Sequence, residues 1–240
     1  VVPGLLGVNP GALCRGRDHD AQCRHPAGSP GESAAVRQSA ESRRRRFRPN
    51  PSKICTSENP SPVRTVFLDL ETTGLDPRID EIVEIGILDE GGQVLLDALV
   101  RPVRHQCWPG AQRVHGIAPA DVQDAPTLDE LRPRIIEAVS DALVVIYNAP
   151  FDAGFLRFEL DASAEVRCAM REFAEVFGEW SDWHGSYHWQ KLHVAADYVG
   201  FDWDGANHRA INDCQAMRAV WRYLRDLAER SRIDAMLRAD

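Results

Sequence analysis

Five side chains in three separated segments have types that could do chemistry together. Asp69 and Glu71 end the run VFLDLE, Asp152 stands in YNAPFDAGF, and His208 and Asp213 stand in HRAIND. Carboxylate oxygens are the ligands that Mg²⁺ and Mn²⁺ prefer, and a histidine can act as a general base near neutral pH. Four carboxylates with one histidine therefore predict a two-metal site of the kind that hydrolyses phosphodiesters.

Asp69 and Glu71 are predicted to project from one side of a buried strand. The residues at 64–70 form a nearly continuous apolar run, which is typical of a central strand covered on both faces. Side chains two positions apart on a strand point to the same face. The run ends in the sequence TTG, so both acids should lie at the carboxyl end of the strand, where open α/β sheets place their sites.

The other three residues lie near the starts of two predicted helices. Asp152 begins the first of these helices, and considered alone it would be explained by the helix dipole. Five positions on an ideal helix separate two side chains by about 140°, so His208 and Asp213 would not share a face. We therefore expect His208 in the loop before the last helix, with Asp213 facing the sheet edge. A capping or core histidine is the alternative explanation of His208.

The order of the predicted elements favours a mixed α/β sheet with helices on both faces. Strands are expected at 64–70, 82–90, 92–100, 142–147 and 166–170, and the first three should form an antiparallel meander. Helices are expected at 127–139, 152–160, 171–178 and 191–199, and from Ala210 onward, where apolar residues recur every three or four positions. Thr127 and Glu130 form a capping box at the start of the first helix.

Charge is distributed unevenly along the 240-residue chain, whose net charge is −8. Residues 1–64 hold 11 Lys+Arg against 5 Asp+Glu, a net +6, whereas the remainder holds 17 against 31, a net −14. Residues 1–63 lack apolar periodicity and are rich in turn formers, so we predict a disordered tail. Its run from Arg43 to Arg46 is either a solvated block, which is favoured, or an electrostatic tether. The acidic remainder would need cations to neutralise its carboxylates before it could bind a phosphate backbone.

Taken together, the three segments resemble the motifs of the DEDDh 3′–5′ exonucleases, a family that includes the epsilon proofreading subunit of bacterial DNA polymerase III, RNase T and oligoribonuclease. The motif DxE followed by TTGL matches residues 69–75, NxxFD matches 148–152, and HxxxxD matches 208–213. The sequence VHGI at 114–117 is similar to a further loop of the family. All motifs stand in the expected order, which makes the match specific.

The resemblance implies an RNase H-like fold, with a mixed five-stranded sheet flanked by helices, and an enzyme that uses two Mg²⁺ or Mn²⁺ ions. The exonuclease domain would cover 64–228, between the tail at 1–63 and a helical extension at 229–240. The four acids named above would hold the ions, and His208 would be the general base. The terminal nucleotide would be bound by Thr72, Thr73, Leu75, His115, Ile117, Asn148 and Phe151.

The expected reaction is release of nucleoside 5′-monophosphates from a 3′ end of single-stranded DNA, with a polymerase or repair complex as an open partner. One alternative is an exoribonuclease acting on RNA ends or short oligoribonucleotides, and no residue reveals the 2′-OH contact that would decide. Another is an inactive nucleic-acid-binding or polymerase-associated module. Binding alone does not require four converging acids, so the enzyme is favoured.

The stretch FGEWSDWHGSYHWQKL at 177–192 is rich in aromatic residues. It could provide a stacking surface for unpaired bases, or its rings could pack in the core. Packing is favoured for Trp189, while Trp180 and Trp183 are left open.

The six cysteines are scattered without a CxxC pair, which favours reduced thiols. The sequence contains no apolar stretch that is long enough to span a membrane or to serve as a signal sequence. We therefore expect a cytoplasmic protein with no membrane partner.

Overall fold

A mixed sheet organises the part of the chain that the computed structural model describes, residues 63–203 and 208–238. Its strands are β1 (Thr65–Thr72), β2 (Ile82–Asp89), β3 (Val94–Leu99), β4 (Leu143–Ile146) and β5 (Glu165–Cys168). Their order across the sheet is β3-β2-β1-β4-β5. The first three strands pair antiparallel, and β4 and β5 run parallel to β1. The predicted five-stranded mixed sheet is confirmed, while the predicted tail, apart from Val63, lies outside the described residues.

Helices flank this sheet, and one small hairpin forms a separate two-stranded sheet. The helices are α1 (Pro109–His115), α2 (Leu128–Val139), α3 (Ala149–Phe155), α4 (Arg157–Leu160), α5 (Ala169–Phe177), α6 (Leu192–Tyr198) and α7 (Ala210–Leu237). A 3₁₀ turn spans Pro119–Val122, and β6 (Trp180–Ser181) pairs with β7 (Ser186–Tyr187). Within the described ranges, no helix is both long and apolar enough to cross a membrane.

The apolar run of β1 is explained by a core on each face of the sheet. Leu68 is fully buried in a cluster that includes Ile135 of α2. Its neighbour Phe67 is fully buried in a second cluster, with Phe173 of α5 and Trp221 of α7. Burial of a side chain of this size contributes about 1.5–3 kcal/mol. β1 is therefore anchored from both sides, and its carboxyl end is a rigid place from which to project functional groups.

The segment after β4 differs from the single helix predicted over 152–160. It forms two helices, and the first of them, α3, begins at Ala149. Pro150 is expected from the sequence to separate the strand from the helix, but it lies in the first turn of α3. A proline there removes no intrahelical hydrogen bond. Asp152 consequently lies inside the first turn and not at the first residue of the helix.

α7 is one continuous helix of 28 residues. It begins directly after the segment that contains His208, as the spacing of His208 and Asp213 predicts. It continues without interruption past residue 228, where the sequence places the start of an extension. The half of α7 that contacts the sheet buries Cys214, Met217 and Trp221, so its N-terminal end is fixed against β1 and β2.

Candidate active site

Asp69 and Glu71 lie on the part of β1 that extends past its pairing with β4. β1 pairs with β4 from Thr65 to Phe67, whereas its pairing with β2 continues to Thr72. Both acids are half-buried, and their two-residue spacing places them on one side of the strand. They therefore stand at the carboxyl end of the central strand, as the sequence predicts.

Asp152 reaches this end of β1 from the first turn of α3. Its side chain is only 3% exposed. The main-chain N–H of Leu70, which lies between the two acids of β1, donates a hydrogen bond to the Asp152 carboxylate. This bond fixes the start of α3 against β1 and brings a third carboxylate beside the other two.

His208 and Asp213 come to the same place from the start of α7. His208 is exposed and has a left-handed backbone conformation, with φ of 62°. The Asp213 carboxylate is buried and accepts a hydrogen bond from the His208 main-chain N–H. Ligand atoms of Glu71, His208 and Asp213 lie within 4.8 Å of one another. We call the five residues Asp69, Glu71, Asp152, His208 and Asp213 the acid site.

Burial raises the pKa of all four carboxyl groups of the acid site, and repulsion from the other acids of the site adds to the effect for Asp69 and Glu71. The pKa of Asp69 lies well above its ordinary value, first because of burial and then because of the charges of Asp152 and Asp213. Burial and the Asp213 charge raise the pKa of Glu71 to about 8. Burial raises the pKa of Asp152 to about 7 and that of Asp213 to about 6, the latter partly offset by His208. Without cations, Asp69 and Glu71 retain protons near neutral pH.

The donor set fits divalent metal ions. Carboxylate oxygens and an imidazole nitrogen suit hard or borderline cations, and four acids at one site repel one another unless positive charge is added. Glu71 and Asp213 supply two carboxylates for one such ion, and the His208 imidazole lies within 4.8 Å of both. Asp69 and Asp152 are near enough to each other for their charges to interact.

Glu84 and Arg209 are functional candidates that the sequence reasoning missed. Glu84 lies opposite Glu71 in the β1–β2 pairing and is 1% exposed. Its Oε1 accepts a hydrogen bond of 2.8 Å from Arg209 Nε, and its Oε2 accepts one of 2.9 Å from the main-chain N–H of Ala210. The contacts join β2 to the residue that follows His208. The only sequence signal is an acid inside the otherwise apolar strand IVEIGIL.

Gly86 lets α7 approach β2 closely at the same point. A Cβ atom at Gly86 would lie 2.6 Å from the Ala210 carbonyl carbon, a distance that backbone cannot accommodate. The glycine and the Glu84–Arg209 ion pair together fix the position of the His208 and Asp213 segment relative to β1.

Thr72 and Thr73, which are predicted to bind the terminal nucleotide, shape the loop after β1. Both are buried. The Thr72 hydroxyl donates to the Gly74 carbonyl at 2.6 Å, and the Thr73 hydroxyl accepts from the Glu81 main-chain N–H at 2.9 Å. Leu75, in contrast, is 83% exposed and stands free at the loop tip. Of these three predicted residues, Leu75 has the most accessible side chain.

His115 and Ile117 lie inside the protein. The Ile117 N–H donates to His115 Nδ1 at 3.1 Å, so Nε2 carries the proton and donates to the Thr72 carbonyl at 3.2 Å. Burial lowers the pKa of His115, which keeps the ring neutral. Ile117 packs with Val83 and Trp108 in a third apolar cluster. The structure thus links the predicted VHGI loop to the end of β1 through His115.

Asn148 and Phe151 flank the start of α3. Asn148 is exposed and Phe151 is half-buried against Phe155, with ring centroids 5.2 Å apart. On the other side of the acid site, a cleft of about 330 Å³ is lined in part by Tyr147, Lys191, His208 and Asp213. The sequence reasoning did not single out Tyr147 or Lys191 for a site.

Comparisons with known proteins agree with this fold. A family model described as exonuclease (RNase T) matches residues 66–220. Exonuclease CP81 of Escherichia phage 186, itself uncharacterized, is 35% identical over 165 residues, which are 62% of this chain and 82% of the phage protein. The DNA polymerase III subunit epsilon of Rickettsia conorii is 36% identical over 121 residues, which are 48% of this chain and 52% of that subunit. The match thus spans about half of the epsilon subunit.

Solved structures of exonuclease I share the fold. The Escherichia coli enzyme in complex with a dA16 oligonucleotide superposes with a TM-score of 0.54 at 18% identity, over 66% of this chain and 40% of the other. Exonuclease I from Methylocaldum szegediense gives 0.55 at 22% identity, over 68% and 40%. The match to the exonuclease family over residues 66–220 makes this RNase H-like protein a nuclease. The chain belongs to the exonuclease family and is an enzyme of its DEDDh 3′–5′ type.

Proposed function

We propose that this enzyme removes nucleoside 5′-monophosphates from the 3′ ends of single-stranded DNA, using two Mg²⁺ or Mn²⁺ ions. The observation that carries the proposal is the convergence of four buried or half-buried carboxylates with one exposed histidine. The acids come from β1, α3 and α7, and each is held by an element packed in the core. A protein that only bound nucleic acid would gain nothing from this arrangement, because four acids repel a phosphate backbone.

Asp69, Glu71, Asp152 and Asp213 would hold the cations. Bound cations supply positive charge that stabilises the charge developing on the phosphate and on the leaving 3′ oxygen. The protein's own contribution is to fix the ligands before substrate arrives, through the β1 register and through the hydrogen bond from Leu70 to Asp152.

His208 is the proposed general base that takes the proton from the attacking water. Its ring is exposed, so water and substrate can reach it, and it stands beside Glu71 and Asp213. Its main chain is held by the Asp213 carboxylate, while Arg209 is held by Glu84. Histidine is the side chain whose ordinary pKa lies closest to neutral pH, which suits it to proton transfer.

DNA is favoured over RNA by the names of the relatives, which include subunits of DNA polymerase III, and by the oligodeoxynucleotide in a related exonuclease I structure. An exoribonuclease remains the second candidate. A polymerase or repair complex as partner and a cytoplasmic location stay predictions.

The test is degradation of 5′-labelled single-stranded DNA and RNA of one sequence, in Mg²⁺ or Mn²⁺ and in EDTA. We expect a ladder from the 3′ end on DNA that disappears in EDTA and with Asp213→Asn. Asp226→Asn is the matched control, because Asp226 is an exposed acid on the same helix. A ladder on RNA alone would replace DNA by RNA as substrate. No ladder from a folded protein that binds 3′ ends equally well in EDTA would favour the inactive binding module.

A further inference from the structure

The chain between α5 and α6, which contains the β6–β7 hairpin, carries aromatic rings that are not packed in the core. Trp183 is 91% exposed, Trp189 61% and Trp180 53%. The alternative of core packing, favoured from the sequence for Trp189, is therefore wrong for this residue. Large apolar side chains grouped at a surface mark a binding site, since leaving them in water costs free energy.

The hairpin is nevertheless well ordered by its own contacts. The main-chain N–H of His188 donates to the Glu179 carbonyl at 2.8 Å, and that of Gly185 donates to Ser181 at 2.8 Å across the turn. Trp180 and Tyr187 pack edge to face with centroids 5.2 Å apart. A preformed surface of this kind loses little entropy when a ligand binds.

A cleft of about 500 Å³ lies on this hairpin, lined by Ser181, His184, Ser186, Tyr187, His188 and Trp189. Planar rings and hydroxyl groups together form its walls. The His184 and His188 rings stand edge to face, 6.4 Å apart. This combination fits a ligand that is flat and also forms hydrogen bonds, which is the chemistry of a nucleobase. We call this group of six residues the hairpin cleft.

A short stretch of chain, Gln190 and Lys191, links the hairpin cleft to the cleft beside the acid site. Gln190, directly after Trp189, accepts a hydrogen bond of 3.0 Å from the Tyr147 hydroxyl through its main-chain oxygen. Lys191 comes next and lines the cleft that His208 and Asp213 also line. Lys191, beside the acid site, and Trp189, in the hairpin cleft, are thus two residues apart in the chain.

The Trp189 ring of the hairpin cleft has cations close to it, one in space and one along the chain. The Arg171 guanidinium lies 5.8 Å from the Trp189 ring centroid, and Lys191 adds a second cation. Two nearby acids accept hydrogen bonds inside the hairpin segment. Asp182 accepts one from Trp180 Nε1, and Glu179 accepts one from Gln190 Nε2. Cations next to exposed rings are the usual composition of a surface for single-stranded nucleic acid.

We infer that the hairpin cleft binds a base of the single strand upstream of the nucleotide being removed. The inference rests on the proposed function and adds a second substrate-binding site to it. Trp189, which lines the cleft, would stack on an unpaired base, and Trp183, exposed on the turn of the same hairpin, would offer a second ring outside the cleft. The site would act on affinity for long substrates without touching the reacting phosphate. A duplex, whose bases are stacked on each other, would gain nothing from it.

The test compares a one-nucleotide substrate with a long one. The p-nitrophenyl ester of thymidine 5′-monophosphate reaches only the acid site, whereas a long oligothymidylate reaches both sites. With Trp183→Ala and Trp189→Ala we expect KM for the oligonucleotide to rise about 5- to 20-fold, the effect of losing one stacking ring. Hydrolysis of the ester should stay unchanged. Phe158→Ala is the matched control, because Phe158 is 78% exposed but lies on α4.

An abasic scan locates the contact. Oligonucleotides with one missing base at successive positions from the 3′ end should show a raised KM at the position seated in the hairpin cleft, and Trp189→Ala, which removes a ring that lines the cleft, should abolish that difference.

Wild-type enzyme that cleaves neither substrate would end the proposed function itself. Wild-type enzyme that cleaves both, with the tryptophan variants equal to Phe158→Ala at every length, would overturn the hairpin site and leave this surface to a protein partner. An equal loss on the ester would also overturn it, because the hairpin would then act on the acid site.

Discussion

The acid site and the hairpin cleft place their key side chains in opposite environments. Asp152 and Asp213 are 3% and 9% exposed, whereas Trp189, which lines the hairpin cleft, is 61% exposed. The acids stand on a central strand and on the first turns of two helices, so the core holds them together against their repulsion. The tryptophans stand on a hairpin with two-residue strands. The difference teaches that the bond-breaking groups need a rigid frame, while a surface for flexible single strands needs only a small preformed platform.

The largest effect should come from Asp69→Asn, which removes one acid and keeps its shape. We expect activity on both the thymidine ester and the oligonucleotide to fall more than about 100-fold, because loss of even an outer partner of a metal ligand costs about 10- to 100-fold. Steady-state kinetics on both substrates measure it. The hairpin variants, in contrast, should affect the oligonucleotide alone.

Asp69→Asn should also raise the melting temperature in EDTA, because it removes a carboxyl group that ionises freely in the unfolded chain but is kept from ionising in the folded protein by burial and neighbouring acids. Asp226→Asn again provides the control for a charge change at the surface. If Asp69→Asn lost activity on the oligonucleotide but not on the thymidine ester, the expected difference between the acid site and the hairpin cleft would be contradicted.

Glu84→Gln should give the next largest effect. The variant keeps the shape of the side chain but removes the charge that holds Arg209 next to His208. We expect kcat for the thymidine ester to fall about 10- to 100-fold, as for other residues that orient a site, while KM stays the same. Steady-state kinetics of the variant would measure kcat and KM, and Mn²⁺ titration would measure metal affinity separately.

Glu90→Gln is the matched control for Glu84→Gln, since Glu90 is an exposed acid directly after β2. Glu84 would have no positioning role if the loss of kcat merely followed a loss of folded protein. A change in the pH dependence of kcat at an unchanged melting temperature would support the role in positioning His208.

The acid site could be predicted from the sequence to the extent that local patterns determine it. The alternation on β1 places Asp69 and Glu71 on one side, and the break after β4 places Asp152 at a helix start. Glu84 was missed because its partner Arg209 lies 125 residues away along the chain. No local pattern shows that an acid in an apolar strand will be matched by a distant cation.

The hairpin and α1 show where local patterns are insufficient. β6 and β7 have two residues each, too few for any alternation to emerge. α1 begins with Pro109 and Gly110, residues that are typical of a turn. Its last residue, His115, is nevertheless fixed by a hydrogen bond to Thr72. Tertiary contacts decide these elements, so the exposure of the tryptophans could not be derived from their sequence.

A third prediction concerns pH and separates the acid site from the rest of the surface. The folded-state pKa values of Glu71, Asp152 and Asp213 are about 8, 7 and 6, all above the ordinary values near 4. At pH values between the ordinary pKa values and the raised ones, the folded protein binds more protons than the unfolded protein. The free energy of unfolding in EDTA therefore falls as pH rises. Melting temperatures in EDTA should therefore decrease from about pH 5 to about pH 8.5.

Mn²⁺ should raise the melting temperature more at high pH than at low pH, because it competes with fewer protons for the same carboxylates. Each kcal/mol of added stability should appear as roughly 2–4 °C. Asp213→Asn should flatten the pH dependence in EDTA, and Asp226→Asn should not. A melting temperature in EDTA that increased over this range would contradict the assigned environment of the acids.

The smallest effect should come from Lys191→Gln, at the junction of the two regions. Lys191 lines the cleft beside His208 and Asp213 and directly follows the hairpin. If it contacts one backbone phosphate of a strand running between the two sites, its loss should weaken oligonucleotide binding equally for all sequences and reduce the slope of log affinity against log salt by about one. Arg222→Gln, an exposed cation on α7, is the control. An unchanged salt slope with an unchanged KM would mean that the strand does not follow this cleft, and the acid site and hairpin cleft would then have to be connected by another path.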